Sequence, residues 1–576
     1  MYTVDTVAAL RSMTSVPEYV YASGYHTAND GAFGSHFYRL ATDTGQVDNS
    51  GTIIRTVNGV YELQYDGAVN IKWFGAVGDD WDGTTGTDNT VTFEKAVNYC
   101  WENGKELSMP SGVFIGNMVI PKQEVGYEYR GDVFKLTGAG ASNGFLGINI
   151  HNGTTIKSLT SEPALKYESY ITGASANHVY ISGIRFEADS NNPVVHFTRF
   201  SDFSTIDKFE IRQYGIGDGL KFDHAYGGSI SNGHVMNGDL VDNSSTLVRT
   251  GIAYNIAITA GFSGGMLSLK KLTARGFLNG YVFGNNTNYI LSTLLEQCEC
   301  STVTNGITIS TNMKKTKIDT CYFEQVFGIC VVDKGDGTTV TDCMMFENYT
   351  IGIDGNYDTR GNVYINNTFH LNSSSCTAIK VKSLGDATGT VKNIKGNTIY
   401  FLSGGTANTF TDVKGIDIYG INPVLYIQGN NFRPIRTWLG GSGTEKITNN
   451  YTGNLLGSTT VMNNYESFDA INGVQLSLSS PATEVTDADI VGGVLTLPSG
   501  GLLKLRVSTA TNITSVICTP EIENRIVVLR MLAAGHTFVK SGSLQLSTPT
   551  FTGYGTITFY LTSTYAVEIA RSSYTP

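Results

Sequence analysis

Four carboxylates stand at recurring positions in a series of short alternating segments, and this pattern points to acid–base chemistry. The dipeptide Phe-Glu occurs twice and supplies Glu324 and Glu347, while Asp223 and Asp354 follow the glycine of their own segments. A glycosidase needs two carboxylates roughly 5–10 Å apart, one as general acid and the other as base or nucleophile. We therefore predict catalytic roles for these four residues, with Glu324 and Glu347 as the preferred pair.

Each of these carboxylates also has an ordinary structural interpretation. A glutamate that recurs in a repeat can cap a turn by accepting hydrogen bonds from main-chain amides, and an aspartate beside a turn is often a solvated surface group. If none of the four is active, the next candidates in the sequence are Asp239, Asp242 and Glu299.

The segments that carry these residues repeat along the chain and predict a β-solenoid. Glycines at 280, 306, 328 and 352 each accompany a short stretch in which apolar and polar residues alternate. A period of roughly 20 to 30 residues with apolar residues at i and i+2 is typical of stacked β-coils and not of a helix. Coils stack at about 4.8 Å, so outward side chains that are in register form columns along one face. Aligning the segments on their glycines puts Glu324 and Glu347 in one column, one coil apart, and Asp223 and Asp354 in a second.

The patterns divide the chain into three regions of an all-β protein. Residues 69–470 are predicted to form a right-handed parallel β-helix that carries the site. Residues 1–68 hold short strands between turn-rich stretches and are predicted to be an N-terminal attachment or cap region. From 471 to 576 the strands lengthen and the coil turn disappears, which predicts a C-terminal β-sandwich that serves trimerisation or carbohydrate binding.

One helix is predicted, at 88–103, where it would cover the N-terminal end of the solenoid and protect its open strand edges. Asp88 is the predicted N-cap, and Val91, Ala96, Val97 and Cys100 lie near helical spacing.

Asparagines recur in the turns of the later coils, as in Gly396-Asn397 and Gly429-Asn430. Asparagine tolerates left-handed turns, and its amide can form hydrogen bonds from one coil to the next. These asparagines are therefore predicted to be structural.

Composition argues against several classes of partner. The net charge of −11 and the pI of about 5.4 argue against a nucleic-acid partner. No apolar run reaches the length of a membrane span, and the N-terminal residues do not resemble a signal peptide, which predicts folding in the cytoplasm. The eight cysteines lie mostly at strand positions without zinc-site spacing. They are predicted to be packed thiols, and neither a metal nor a cofactor is predicted.

Two stretches carry a resemblance to a known family. Trp73-Phe74-Gly75-Ala76-Val77-Gly78-Asp79, then a helix, then Leu107-Ser108-Met109-Pro110-Ser111-Gly112-Val113-Phe114, is similar to the start of the solenoid in pectate-lyase-like bacteriophage tailspikes. The segment from Ile526 to Ser572 resembles their C-terminal β-sandwich. The resemblance implies a capsule depolymerase of the kind found in phages of Klebsiella and its relatives. It also implies a parallel homotrimer that docks through its N-terminus on a phage tail or adaptor protein in the virion.

Four functions are compatible with these patterns. The preferred one is hydrolysis of a bacterial capsular or O-antigen polysaccharide by paired carboxylates at the outer bacterial surface. The alternatives are a polysaccharide lyase that acts on a uronate with a Lys, Arg, His or Tyr base, a non-catalytic glycan-binding adhesin, and a sugar-ester deacetylase. The trimer is also expected because apolar residues such as Val282 and Val332 on the outer faces would need cover.

Overall fold

Strands account for nearly all of the regular structure in this computed structural model. The structure describes residues 2–573 outside gaps at 33–35, 80–84, 121–133, 141–152, 169–177, 201–203, 226, 239–248, 257–265, 285–289, 372–374, 383–391, 402–413, 420–424, 429, 433–436, 442–454, 457–460, 463–466, 472–473, 479–482, 486–488, 498–501, 506–510, 519–524, 532–535, 549, 553–554 and 562–565. Two compact units, Met1–Ile353 and Asp354–Pro576, are described in turn. None of the helices in the described ranges combines the length and the apolar character that a membrane crossing requires.

The first unit begins with a small mixed sheet of five strands. In spatial order they are Tyr2–Val4, Tyr19–Ala22, Phe37–Arg39, Gly59–Leu63 and Ile53–Thr56, and a short helix, Val7–Arg11, follows the first strand in the chain. The first pairing is parallel and the others are antiparallel. Apolar side chains such as Val20, Phe37 and Tyr61 are fully buried, so this sheet has a core of its own.

The predicted helix is confirmed at Thr90–Asn103, after a 3-10 turn at Ile71–Phe74. Two details of the prediction were wrong. The N-cap is Asn89, while Asp88 accepts hydrogen bonds from the main-chain N (2.9 Å) and hydroxyl (2.7 Å) of Thr90. Val91 is 62% exposed, because the buried face of the helix is formed by Phe93, Ala96, Val97 and Cys100.

A parallel β-solenoid fills the rest of the first unit, as predicted. The long sheet takes two strands from each coil. In some coils these two strands merge into one continuous strand. Its strands are Val69–Asn70, Leu107–Met109, Gly112–Ile115, Phe134–Gly138, Thr154–Ser158, Val179–Ser182, Ile184–Ala188, Thr205–Gln213, Gly228–Asn237, Leu267–Arg275, Thr293–Glu296, Glu299–Ser301, Lys317–Asp319, Tyr322–Glu324, Thr339–Thr341 and Met344–Phe346. The second sheet holds Met118–Ile120, Leu165–Tyr167, Val195–Phe197, Leu220–Phe222, Ile252–Ile256, Asn279–Phe283, Asn305–Ile309, Ile329–Asp333 and Ile351–Gly355. Ile290–Leu291 pairs with Met313–Lys314.

Inward residues stack from coil to coil and form the core of the solenoid. Cys300 and Phe323 are register partners, as are Phe323 and Met345, and all three are buried. The recurring glycines belong to this packing. A Cβ on Gly306 would lie 2.4 Å from the Cys330 carbonyl oxygen, so this glycine is required for close approach between strands and not for a turn.

Cysteines line one inner corner of the first unit. Cys298, Cys321 and Cys343 each follow a residue with positive φ, namely Gln297, Thr320 and Asp342. The main-chain N of Cys321 contacts the Cys343 sulfur at 3.4 Å. Seven cysteines of the described part are buried and free, which confirms the prediction of packed thiols for those seven.

The second unit continues with parallel strands and then changes to other sheets. The parallel strands are Val363–Ile365, Thr368–Leu371, Thr377–Lys382, Lys392–Lys395, Thr398–Phe401, Lys414–Tyr419, Leu425–Gln428, Asn431–Phe432, Thr437–Gly441, Leu455–Leu456 and Val461–Met462. Ser467–Ile471 and Val474–Leu478 form an antiparallel hairpin. Beyond it lie Thr483–Val485, Ile490–Val491, Val494–Leu497, Leu502–Leu505, Thr511–Ile513, Ser515–Cys518, Arg525–Met531, His536–Val539, Leu544–Gln545, Thr550–Thr552, Gly555–Leu561 and Ala566–Ser573.

The predicted asparagine ladder is present in the second unit. Asn367, Asn397 and Asn430 are fully buried. The Asn397 Oδ1 accepts from the main-chain N and the Nδ2 of Asn367 (2.9 and 3.1 Å), and its Nδ2 donates to the Asn430 Oδ1 (2.9 Å). The amides therefore satisfy one another and the corner of the coil at the same time.

The last strands of the chain form three small sheets around one core. Arg525–Met531, Gly555–Leu561 and Ala566–Ser573 are consecutive antiparallel neighbours in the largest sheet. Leu497, Phe538 and Phe559 belong to the shared core, in which the rings of Phe538 and Phe559 lie 5.7 Å apart.

Candidate functional site

Two adjacent columns of outward side chains run along the long sheet of the first unit. Strand register fixes their membership, because parallel partners occupy equivalent positions on successive coils. The first column holds Thr155, Arg185, Glu210, His234, Thr273, Glu299, Tyr322 and Met344, and the second holds Lys157, Glu187, Arg212, Met236, Arg275, Ser301, Glu324 and Phe346.

The early coils of these columns carry ion pairs. The Arg212 Nε lies 2.7 Å from the Glu210 Oε1, and Arg185 is paired with Glu187 and lies 3.8 Å from Glu210. Because each charge here has an opposite partner and the side chains are nearly buried, this cluster is best explained as structural.

The later coils differ, because three glutamates there have no partner within the described part of the chain. Among the described residues between 69 and 353, Glu299, Glu324 and Glu347 are the half-buried carboxylates that make neither a hydrogen bond nor an ion pair. By contrast, the nearby Glu296 is 3.0 Å from the Lys270 Nζ, and Asp319 is paired with Lys317. Carboxylates that are partly desolvated and left unpaired are costly for stability, which makes the three glutamates candidates for a functional role.

The charge of Glu324 acts on Glu299, and the charges of all three glutamates act on Tyr322. Burial raises the pKa of Glu299, the charge of Glu324 raises it further, and the guanidinium of Arg275 acts in the opposite direction. Burial and the charges of Glu324, Glu299 and Glu347 raise the pKa of Tyr322. At neutral pH this arrangement favours a protonated phenol and a Glu299 that holds its proton more readily than an ordinary glutamate.

Arg275 completes this group. Its Nε is buried and has no hydrogen-bond partner among the described residues. It lies one coil before Ser301 and two coils before Glu324 in the same column. We call Arg275, Glu299, Tyr322, Glu324 and Glu347 the glutamate cluster.

The register places Glu347 differently from the sequence prediction. The partner of Glu324 on the next coil is Phe346, so Glu347 stands one residue beyond the column. Its φ is 58°, and Gln325 and Thr302 have the same left-handed conformation at the preceding turns. Glu347 is thus a turn residue whose side chain still reaches the neighbourhood of Tyr322.

The other two predicted carboxylates are elsewhere. Asp223 follows a strand of the second sheet, and its Oδ2 is 2.8 Å from the His196 Nε2 while its Oδ1 is 3.2 Å from the Lys221 Nζ. Burial alone would raise the pKa of Asp223, but its contacts with His196 and Lys221 lower that pKa overall. Asp354, the first residue of the second unit, is buried and accepts from the main-chain N of Asn356 (3.1 Å). Asp239 and Asp242 lie outside the described residues.

Sequence reasoning named Glu299 only as a further candidate and did not group it with Tyr322 beside Glu324. Period-two alternation was a sufficient signal, because Glu299 and Ser301, like Tyr322 and Glu324, face the same way on one strand. Across the described ranges, no three His, Cys, Asp or Glu side chains lie close enough together to hold a metal ion.

The fold is a parallel β-helix, and its long sheet presents a group of half-buried carboxylates on one outward face. Residues 3–66 match the family described as the phage tail protein small four-stranded beta-sheet domain, which agrees with the resemblance to phage tail proteins. A comparison with curated protein sequences finds no match.

Solved structures of phage tailspikes are similar to the chain. The enzymatically active domain of tailspike protein 2 from bacteriophage CBA120 is 13% identical, with a TM-score of 0.46, over 79% of this chain and 61% of that chain. The gp42 tailspike of Acinetobacter phage vb_AbaP_AS12 is 11% identical, with a TM-score of 0.49, over 100% of this chain and 94% of that chain. Tailspike gp49 from the Acinetobacter baumannii bacteriophage Fri1, a capsular polysaccharide depolymerase, is 13% identical, with a TM-score of 0.34, over 81% of this chain and 70% of that chain. The chain thus spans less than two thirds of the first of these structures.

Proposed function

We propose that this protein is a phage tailspike that binds and hydrolyses a bacterial surface polysaccharide, either capsule or O-antigen. The observation that carries the proposal is that Glu299 and Glu324 share one outward face and have no partner among the residues that the structure describes. Glu324 was already a predicted catalytic residue, and Glu299 replaces Glu347 as its preferred partner because Glu299 belongs to the adjacent column.

The two glutamates would divide the roles of acid and base. Glu299, whose pKa is raised, would donate a proton to the glycosidic oxygen as the bond to the anomeric carbon breaks. Glu324 would accept a proton from the water that attacks that carbon. One coil step and two residues along the strand separate their Cα atoms by roughly 8 Å. If the two side chains extend from the sheet in the same direction, their carboxyl groups are about as far apart as their Cα atoms, which is within the window of about 6.5–9.5 Å between carboxyl groups in inverting glycosidases, and inversion at the anomeric carbon is then expected.

A lyase is the second candidate, and Arg275 is the observation that favours it, because a lyase must neutralise a uronate. The raised pKa of Tyr322 counts against a phenolate base at neutral pH, and a lyase has no need of two unpaired glutamates. New reducing ends without absorbance at the unsaturated-uronate band would support hydrolysis. The same products with that absorbance would support the lyase, and binding without cleavage would support an adhesin.

The test of the catalytic pair is substitution to glutamine. Glu299→Gln and Glu324→Gln should each lower kcat by roughly 10²- to 10⁴-fold, with little change in polysaccharide binding or thermal stability. Glu296→Gln is the matched control, because it removes an ion-paired glutamate from the preceding strand of the same coil and should leave kcat near wild type. Glu347→Gln, Asp223→Asn and Asp354→Asn complete the set and test the remaining predicted carboxylates. Full turnover in Glu299→Gln and Glu324→Gln would remove the site from this face.

Assembly and attachment belong to the same proposal. The match over residues 3–66 supports attachment to the virion through the N-terminal sheet, on a tail or adaptor protein. The homotrimer keeps the support of the family resemblance only. Val332 is only 8% exposed within a single chain, so the argument that it needs cover was wrong. Light scattering that gives the mass of one chain at micromolar concentration would contradict the trimer.

A further inference from the structure

We infer that the polysaccharide is acidic, and that Arg275 binds a carboxylate on a sugar next to the bond that is cut. The inference rests on the proposed function for the identity of the ligand as a polysaccharide. Its physical basis is the buried Arg275 Nε, which has no hydrogen-bond partner among the described residues. That observation does not depend on the reaction.

Arg275 lies where a neighbouring sugar would be. The coils advance by about 4.8 Å, so Arg275 is roughly 10 Å from Glu324 along the solenoid axis and one coil from Glu299. A polysaccharide that runs along the columns would present one sugar between the two glutamates and another beside Arg275. Arg275 therefore touches the substrate away from the bond that breaks, and its expected role is recognition.

The other arginines of this region already have partners. Arg212 is paired with Glu210, while Arg249 donates from Nε to the Thr302 carbonyl oxygen (2.7 Å) and lies 4.3 Å from the centre of the Phe327 ring. Arg275 alone combines a buried Nε with the lack of a hydrogen bond or ion pair among the described residues of this face. A guanidinium fork matches a carboxylate in shape and charge, so an acidic sugar would supply the missing partner.

The surroundings explain why the ligand group should be an anion. The positive charge of Arg275 lowers the pKa of Glu299, but the two side chains form no hydrogen bond with each other. A neutral polymer would cover Arg275 and leave a desolvated cation unsatisfied, which is unfavourable. A carboxylate of a uronic acid or of a pyruvate ketal would satisfy it, since both present the same group.

The first experiment measures binding without any need for cleavage. Saturation-transfer NMR with the full chain and methyl β-D-glucuronide should give a signal that is lost in Arg275→Gln and kept in Lys271→Gln. Lys271 is the matched control because it is an exposed cation on the same strand. Arg275→Lys, which keeps the charge but not the fork, should retain a weaker signal. A glucuronide signal that is unchanged in Arg275→Gln would overturn the inference.

The second experiment uses a polysaccharide that the wild-type protein degrades, taken from a panel of purified acidic and neutral capsules. Reduction of its carboxyl groups with carbodiimide and borohydride should lower kcat/KM by about 10- to 100-fold, mainly through KM. Arg275→Gln should show the same loss on the native polymer and no further loss on the reduced one. Mild acid, which removes pyruvate ketals but not uronic acids, distinguishes the two sources of the carboxylate. Equal degradation of native and reduced polymer would overturn the inference. If no polysaccharide is cleaved but glucuronide binding still depends on Arg275, the proposed hydrolysis fails, while the binding of an acidic sugar by Arg275 stands.

Discussion

The asparagine ladder gives the sharpest test of how the second unit is held together. Asn397 is fully buried, and its side chain makes four hydrogen bonds. Two of them satisfy main-chain groups, the N–H of Asn367 (2.9 Å) and the carbonyl oxygen of Tyr364 (2.9 Å). Asn397→Ala removes all four and exchanges a polar corner for a cavity.

The magnitude follows from the main-chain groups that lose a partner. A buried polar group that is left unsatisfied costs about 1–3 kcal/mol, so two such groups cost roughly 2–6 kcal/mol. That is a large fraction of the typical 5–15 kcal/mol by which a domain is stable. Asn397→Asp should be worse still, because it replaces two donors by an oxygen that faces acceptors. The loss of stability caused by Asn397→Asp should grow as the pH rises above about 4. Above that pH the new aspartate ionises in the unfolded state, whereas in the folded state the buried carboxyl group resists ionisation.

The assay is urea unfolding of the full chain, with tyrosine fluorescence and circular dichroism as probes and unfolding rates as a second measure if refolding fails. Asn393→Ala is the matched control, since Asn393 lies on the same coil, is half-buried and makes no side-chain hydrogen bond within the described part of the chain. That control should change stability by about 0.5 kcal/mol or less. If Asn397→Ala and Asn393→Ala unfold alike, the ladder does not stabilise the solenoid and the reasoning is refuted.

Four further predictions follow from the same contacts. Ellman's reagent should label at most one thiol per native chain, because the seven described cysteines are buried, and it should label all eight after unfolding. Rapid labelling of several thiols in the native protein would contradict this. Burial lowers the pKa of His224 to about 4, so the unfolded state binds a proton first and stability should fall as the pH drops from about 6.5 towards 4; His224→Gln should flatten that fall in urea titrations at pH 7.5 and pH 5. Asn89→Ala should lower stability by roughly 2–4 kcal/mol, since the Asn89 amide bonds main-chain groups of two other segments, and a melting temperature equal to wild type would exclude that role. If Glu299 is the general acid, the alkaline limb of the pH profile of kcat/KM reports the pKa of Glu299. Arg275→Gln should move that limb to higher pH, because the Arg275 guanidinium lowers the pKa of Glu299. A limb that does not move would be assigned to another group.

The solenoid could be predicted from sequence because it depends on alternation and period, which are local properties. The asparagine turns were equally legible, since an asparagine that repeats once per coil suits both a tight turn and a ladder of amides. The helix was found at the right place, but its cap was misassigned by one residue, because Asp88 and Asn89 are both good cap residues and the first intrahelical hydrogen bond runs from the Phe93 N–H to the Asn89 carbonyl oxygen (2.8 Å).

The site could be predicted only in part, because the register was taken from the glycines. Four residues separate Glu324 from Gly328, whereas six separate its true partner, Phe346, from Gly352. The connection between strand and glycine is two residues longer on the second of these coils, so an alignment on glycine loses the register and does not recover Phe346 as the partner of Glu324. Residues with a left-handed main-chain conformation, such as Gln325 and Glu347, mark the register better. That conformation could not be predicted from the sequence, because these residues are not glycine.

The stacking of coils separates spacing in the molecule from spacing in the chain. Arg275 and Glu324 are two coil steps apart whatever the number of residues that the intervening connections contain. Equivalent strands of the long sheet begin at 228, 267, 293, 317 and 339, so one connection is far longer than the rest while the strand pairings continue in register. Insertions and deletions at the corners thus leave the distances among outward side chains unchanged. The loops at the corners can therefore change in length and sequence while Glu299 and Glu324 keep a constant separation.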